Sequence, residues 1–163
     1  MITSWETLES EIQTFLEARQ RIGKTMYHRF YDTHAAGNFL PGQPADFMVV
    51  NNGKLHFIEA KFSEVHDSLK SCFSGAVRAN QTAAAHLAVR AGANYVFLFY
   101  SAKSDMFELW DGEYLFQQRS KGQRLHLDSR RVFKTMENTI LGGVFSGAGA
   151  CVLGSTLGSE KKG

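Results

Sequence analysis

The chain has 163 residues, enough for one domain whose core needs neither metals nor disulfides. Its 44% apolar content and 13 phenylalanines support a folded core, and no apolar run reaches the roughly 20 residues of a membrane-spanning helix. A formal net charge of +2 is too small to establish a nucleic-acid partner, so the distribution of charge carries that argument.

Thr3 or Ser4 is placed to cap a first helix, with Glu6 and Glu9 in early turns where the macrodipole favours acids. The same stretch lacks a basic-then-apolar signal pattern, so a cytoplasmic, intracellular protein is expected, a virus-encoded one included. Leu8, Ile12, Phe15 and Leu16 follow helical spacing and predict a buried stripe. Glu9 lies at the edge of that stripe, and Glu11 lies about 200° round the helix from it, facing solvent. Arg21-Ile22-Gly23-Lys24 ends the helix, and residues 26–31 are expected as a strand. Arg29 on that strand is available to a phosphate or to a surface ion pair. Residues 33–43 read as a loop that either closes over substrate or only connects.

Two apolar runs, residues 46–50 and 55–60, then flank Asn51-Asn52-Gly53, a turn signal for a hairpin. Asp46 opens the first run. Glu59 and Lys61 close the second and share a face, with Ala60 opposite. An antiparallel hairpin sets the start of one strand beside the end of the next, so two carboxylates and an ammonium converge. Adjacent carboxylates repel unless a cation lies between them. Hard oxygen donors suit Mg²⁺, which keeps waters for a substrate phosphate. Lys61 would then orient an attacking water or neutralise phosphate charge. A solvated amphipathic hairpin explains any one of these residues, but the full set favours a site.

Residues 64–75 lack periodicity and read as a loop or short helix. Asn80 is expected to cap a helix to about Ala91, with Gly92 as its stop and Ala83, Ala84, Ala85 and Ala88 allowing close packing on a sheet. Residues 94–100 are nearly continuously apolar, which suits a covered sheet centre, parallel to residues 55–61 through the crossover. Residues 106–110 alternate like an edge strand, with Tyr114, Leu115 and Phe116 packed beneath. The expected fold is α/β, a mixed central sheet flanked by helices, with the Asp46 site on one edge of the sheet.

Arg119, Lys121, Arg124, Arg130, Arg131 and Lys134 face only Asp128 in the next stretch. This basic stripe suits a DNA backbone, a solvated basic surface being the alternative. From Gly142 the chain is rich in glycine and serine, which divides it into a folded domain (1–141) and a flexible tail (142–163). Val144, Phe145, Val152 and Leu153 leave room for packing, against a second subunit for example. Cys72 and Cys151 show no zinc or redox spacing and read as unpaired buried thiols. None of the six histidines has metal-ligand spacing, and all are taken as structural.

PADFMVV…HFIEAK resembles the PD-(D/E)XK nuclease superfamily, with Ala45 set between the proline and the aspartate. LESEIQTFL resembles that family's glutamate-bearing helix, and ANQTAAAHLAVRAGANYVFLFY, with Gln81, its helix opening with glutamine. Together they cover about residues 5–116. The chain looks most like Holliday junction resolvases of the RecU type and their archaeal analogues. That resemblance implies a restriction-endonuclease-like core and a Mg²⁺-dependent endonuclease of branched DNA, with Mn²⁺ able to substitute. It implies a homodimer, because two symmetric cuts need two sites, and Phe73, Val77, Phe133 and Ile140 are candidates for its interface. It also implies that Asp46, Glu59, Glu9 and the Ala60 carbonyl hold the metal, that Lys61 positions the water and that Gln81 assists. The family pattern selects Glu9 over Glu11, an exposed helical glutamate being the other reading. One departure is the missing long stalk that RecU proteins push into the junction. The same skeleton also serves nucleases of single strands, ends or damaged sites, and non-catalytic DNA-binding modules. The intact acid, acid and lysine set argues against the last.

Overall fold

In the computed structural model, which describes residues 1–31 and 42–146, the first helix α1 (Trp5–Arg21) starts at Ser4. Ser4 Oγ accepts the Thr7 N–H at 3.2 Å and Thr7 Oγ1 accepts the Ser4 N–H at 2.9 Å. This reciprocal pair satisfies two of the donors that a helix start leaves open. Leu8, Ile12 and Leu16 are fully buried, as the spacing predicts.

Among the described residues six strands form one sheet in sequence order: β1 (Thr25–Arg29), β2 (Phe47–Asn51), β3 (Lys54–Ser63), β4 (Asn94–Ser101), β5 (Met106–Asp111) and β6 (Arg131–Phe133). All neighbours pair antiparallel except β3 and β4, which are parallel. That exception follows from α2 (Leu69–Ala76) and α3 (Ala79–Arg90), which carry the chain back to the end where β3 begins. The expected mixed α/β class is the one the chain adopts. The hairpin turn is as its sequence demands: Asn52 and Gly53 have φ of 51° and 74°, both positive.

The sheet is covered on both faces. Leu8, Ile12 and Leu16 of α1 pack with Phe47, Val49, Ile58, Val96, Leu98 and Leu109 on one side. On the other, Leu69, Val77, Ala85 and Leu115 pack with Tyr95, Phe97, Phe99 and Trp110. This double coverage explains why β4 is apolar along almost its whole length.

Several expectations need correction. β5 is not an edge strand, because β6 pairs with it, and its central residues Phe107 to Trp110 are all buried. The three residues of β6 are too few to show a period in sequence. Tyr114, Leu115 and Phe116 belong to a helix, α4 (Gly112–Ser120), capped by the Asp111 carboxylate, which accepts the Tyr114 N–H at 3.1 Å. The cap of α3 is Arg78, not Asn80, so the helix begins earlier than its asparagine suggested. The boundary drawn at residue 142 falls inside a π-helical segment, Asn138–Val144, whose Gly143 and Val144 are buried. Val77 and Ile140, offered for a dimer interface, are fully buried core, and Phe73 and Phe133 are partly buried against it. Cys72 is half-buried and free, and Cys151 lies outside the described residues, as do most of the loop at 33–43 and the rest of the tail.

Glu108 ties these layers together. Its carboxylate is buried on β5 and accepts Ser68 Oγ at 3.1 Å, the Leu69 N–H at 3.0 Å and Trp110 Nε1 at 2.8 Å. Arg130 supplies the countercharge through an ion pair. The start of α2 is thus anchored to β5 and to the segment entering β6.

Close approach of α4 to α3 and β4 depends on Gly112. A Cβ there would lie 2.8 Å from Ala85 Cβ and 2.9 Å from the Tyr95 carbonyl oxygen. Backbone cannot yield as a flexible side chain would, so Gly112→Ala should destabilise the fold by about 1–3 kcal/mol. Gly75, in α2, has nothing within 4 Å of such an atom. Gly75→Ala should leave stability unchanged or raise it by up to about 1 kcal/mol. Urea unfolding of the two variants checks the contrast.

Candidate active site

Five segments meet where β2 begins: α1, the end of β1, the residues before β2, the second half of β3 and the start of α3. The register sets Phe47 opposite Ile58, so Asp46 lies level with the Glu59–Lys61 stretch of β3. Its backbone is pinned on both sides, with the Asp46 N–H donating to the Ile58 carbonyl at 3.2 Å and the Asp46 carbonyl accepting the Phe30 N–H at 2.8 Å. The inserted Ala45 is accommodated in the core on the α3 side. Tyr95 Oη donates to the Pro44 carbonyl at 2.6 Å and steadies the approach to Asp46.

The site is not on an edge of the sheet. β1 covers β2, so the acids sit at the ends of interior strands, between the two helical layers. Past Ile58, β3 outruns β2, and Asp46 Oδ2 takes the free Ala60 N–H at 2.7 Å. By the pleat of a regular strand, the Ala60 carbonyl points to that same open side.

Glu59 Oε1 accepts from Lys61 Nζ at 3.1 Å and from Gln81 Nε2 at 2.5 Å. Gln81 Oε1 in turn accepts from Lys61 Nζ at 3.1 Å and from the Arg78 N–H at 2.9 Å. Gln81 therefore binds both members of the ion pair while closing the first turn of its own helix. Glu9, buried on α1, faces the group from the opposite layer. Arg29 donates to it at 2.5 Å and to Gln13 at 2.7 Å, and lies 4.9 Å from the Tyr31 ring centroid.

Electrostatics single out the two hairpin acids. Burial and the Asp46 charge push the Glu59 carboxyl up to about 7, against the opposing pull of Lys61. Burial raises Asp46 as well, and the Ala60 N–H works against it. Glu9 is raised by burial and then by Asp46, with Arg29 opposing. Asp46 is thus the common neighbour of both glutamates. Arg78, on the exposed start of α3, lowers both Asp46 and Glu59 by its charge.

The structure therefore brings together Asp46, Glu59, Ala60, Lys61, Gln81, Glu9 and Arg29 from the sequence reading. It divides the basic stripe. Arg130 is spent on Glu108, and Arg131 donates to the Gly143 carbonyl at 2.8 Å. Lys121 and Arg124 remain exposed just after α4. Arg119, two residues before Lys121 and still within α4, hydrogen-bonds the Val77 carbonyl, so the end of α4 that leads to this exposed pair is tied to the start of α3. The sequence reading missed Arg78 and Gln13. A glutamine three residues after a helix cap is a known reciprocal pairing, and that spacing was the available signal for Arg78.

A hard divalent cation fits the donor set. Asp46 Oδ1 and Glu59 Oε2 take no hydrogen bond from a described residue, and the Ala60 carbonyl adds a third oxygen on the open side of β3. Among the described residues no three His, Cys, Asp or Glu side chains converge closely enough to hold an ion by themselves. Glu9 is instead tied to Arg29. Two carboxylates with waters and substrate oxygens completing the shell is the arrangement that Mg²⁺ favours. No protein-family model matches this chain, and no curated protein sequence matches it.

Because the folded Glu59 binds its proton more tightly than an unfolded glutamate at 4.5, it lowers stability as pH rises from 4.5 towards 7. With metal chelated, Glu59→Gln should be more stable than the parent by up to about 3 kcal/mol at about pH 8, and by nothing at about pH 4. Urea unfolding at the two pH values checks this.

Proposed function

We propose that this chain is a metal-dependent endonuclease that hydrolyses phosphodiester bonds in DNA, with branched DNA as its preferred substrate. The observation that carries the reading is the Asp46–Glu59 pair. Both carboxyls are raised by burial, Glu59 also by the Asp46 charge, and Lys61 Nζ lies 3.1 Å from Glu59. Burying like charges side by side costs folding energy, which a bound cation would recover. The resemblance of PADFMVV…HFIEAK to the PD-(D/E)XK nucleases supports the same assignment.

Asp46, Glu59 and the Ala60 carbonyl would hold Mg²⁺ or Mn²⁺. A divalent ion held there would polarise the substrate phosphate and lower the pKa of a bound water. Lys61, anchored by Glu59 and Gln81, would steady the attacking water and meet developing negative charge. Gln81 fixes the Lys61 ammonium, and with it the Glu59 carboxylate, so its first role is orientation. Arg29 neutralises Glu9 and keeps that acid from adding a third negative charge to the phosphate's approach. The choice of a four-way junction, and of a homodimer presenting two sites to opposed strands, rests on the resemblance to resolvases. Nucleases of the same skeleton acting on single strands or ends form the second reading, favoured here by the missing stalk.

Asp46→Asn and Glu59→Gln should each abolish Mg²⁺-dependent cleavage while DNA binding persists or strengthens. Lys61→Ala should lose turnover and keep metal affinity. A variant of either acid that cuts at the parent rate would refute the site. Paired, symmetric nicks in a four-way junction, with linear duplex cut far more slowly, are expected from a solution dimer. A monomer that degrades single strands as readily would shift the substrate to the second reading.

A further inference from the structure

Resting on the reading of this site as a phosphodiester hydrolase, we propose that Arg78 grips the scissile phosphate and begins a basic track for the DNA backbone across the α3 and α4 termini. The other two cations at the acids are already engaged. Arg29 is bound to Glu9 and Gln13, and Lys61 to Glu59 and Gln81. Arg78 differs from both. Its guanidinium makes no hydrogen bond or ion pair with any other described residue, and the residue is exposed. Yet it stands one side chain away from the acids, since the Gln81 amide that takes the Arg78 N–H also binds Lys61 and Glu59.

The backbone at Arg78 is held firmly while the side chain is left over. Its N–H donates at 2.9 Å to the same Gln81 oxygen that takes Lys61 Nζ. The residue sits at the cap of α3 in extended backbone, with φ −83° and ψ 156°. Helix physics does not ask for arginine there. A cap residue serves by accepting N–H groups, and a guanidinium has no acceptor to offer. Its five donors are instead suited to two non-bridging oxygens of one phosphate. The start of a 12-residue helix adds favourable dipole at the same point.

The neighbouring chain extends the charge. Arg119 donates to the Val77 carbonyl, immediately before Arg78, and its guanidinium lies 5.3 Å from the Phe73 ring centroid. That contact docks the end of α4 against the α2–α3 junction. Lys121 and Arg124 follow, both exposed. A backbone whose scissile phosphate lies at Asp46 and Glu59 would meet Arg78 first and this pair next. Arg78 takes no part in proton transfer: it orients the phosphate and answers the charge that builds on its oxygens.

The test compares Arg78→Ala and Arg78→Lys with Arg21→Ala, a control on α1 whose arginine is 80% exposed and, among the described residues, pairs only with Glu17. Single-turnover cleavage at saturating DNA with Mg²⁺ separates chemistry from affinity, and the salt dependence of binding is read in chelator. Arg78→Ala should slow cleavage by about a hundredfold. It should also lower the log–log salt slope on duplex arms by about 0.9. Arg78→Lys should recover only part of the rate, because an ammonium keeps the charge and loses the fork. Arg21→Ala should change neither quantity. Parent-like cleavage by Arg78→Ala, or full recovery by Arg78→Lys, would overturn the inference while leaving the nuclease reading intact. A parent protein that cuts no DNA with Mg²⁺ or Mn²⁺ would overturn that reading, and this inference with it.

Discussion

Asp46 is half-buried beside the buried Glu59, and its charge helps push that glutamate's carboxyl up to about 7. Like charges so placed are tolerated only because the fold surrounds them with compensation. The Ala60 N–H reaches Asp46, Lys61 and Gln81 hold Glu59, and Arg29 answers Glu9. Ala60 and Lys61 come from β3, Gln81 from α3 and Arg29 from the end of β1, so the constraint acts on the whole architecture. β3 must outrun β2 to leave the Ala60 N–H free, and α3 must start at the level of Glu59 and Lys61 to bring Gln81 in. β1 must end beside α1 to deliver Arg29.

The sheet makes that convergence possible in a particular way. Antiparallel pairing of β1, β2 and β3 gathers the end of β1, the start of β2 and the second half of β3 at one place. The parallel step to β4 then requires a crossover, and the crossover supplies α3. Glu9 arrives on the opposite layer because α1 packs on the other face. A site built at the ends of interior strands is supported from both layers, which suits groups that must hold position against mutual repulsion. Glu108 repeats the device elsewhere: it too is a buried carboxylate, matched by Arg130, but three further donors saturate it and leave nothing for a ligand.

Period and turn chemistry made much of this readable from the amino-acid sequence. The stripe of α1, the Asn52-Gly53 turn and the unbroken apolar run of β4 each reflect a local rule that the tertiary structure obeys. The hairpin acids were readable for the same reason, since antiparallel register places Asp46 level with Glu59 without knowledge of anything else. What escaped depends on partners distant in sequence. β6 is three residues long and exists as a strand through β5. α4 buries Gly112, Leu115 and Gln118, a set with little apolar contrast, and its close approach rests on a missing side chain. The basic segment read as one stripe because nothing nearby in sequence shows that Arg130 is bound to Glu108 and Arg131 to a backbone carbonyl. Arg78 escaped because Asn80 was read as the helix cap, which hid the three-residue spacing from Arg78 to Gln81.

The central claim is that the Asp46–Glu59 pair is a cation site. Calorimetric titration of the protein with Mn²⁺ at about pH 7, in two buffers of different ionisation enthalpy, tests it most directly. A carboxyl poised at about 7 is half protonated there, so binding should release roughly half a proton per ion, and Asp46→Asn should abolish both the binding and the release. Absence of binding, or binding that Asp46→Asn leaves unchanged, would contradict the account.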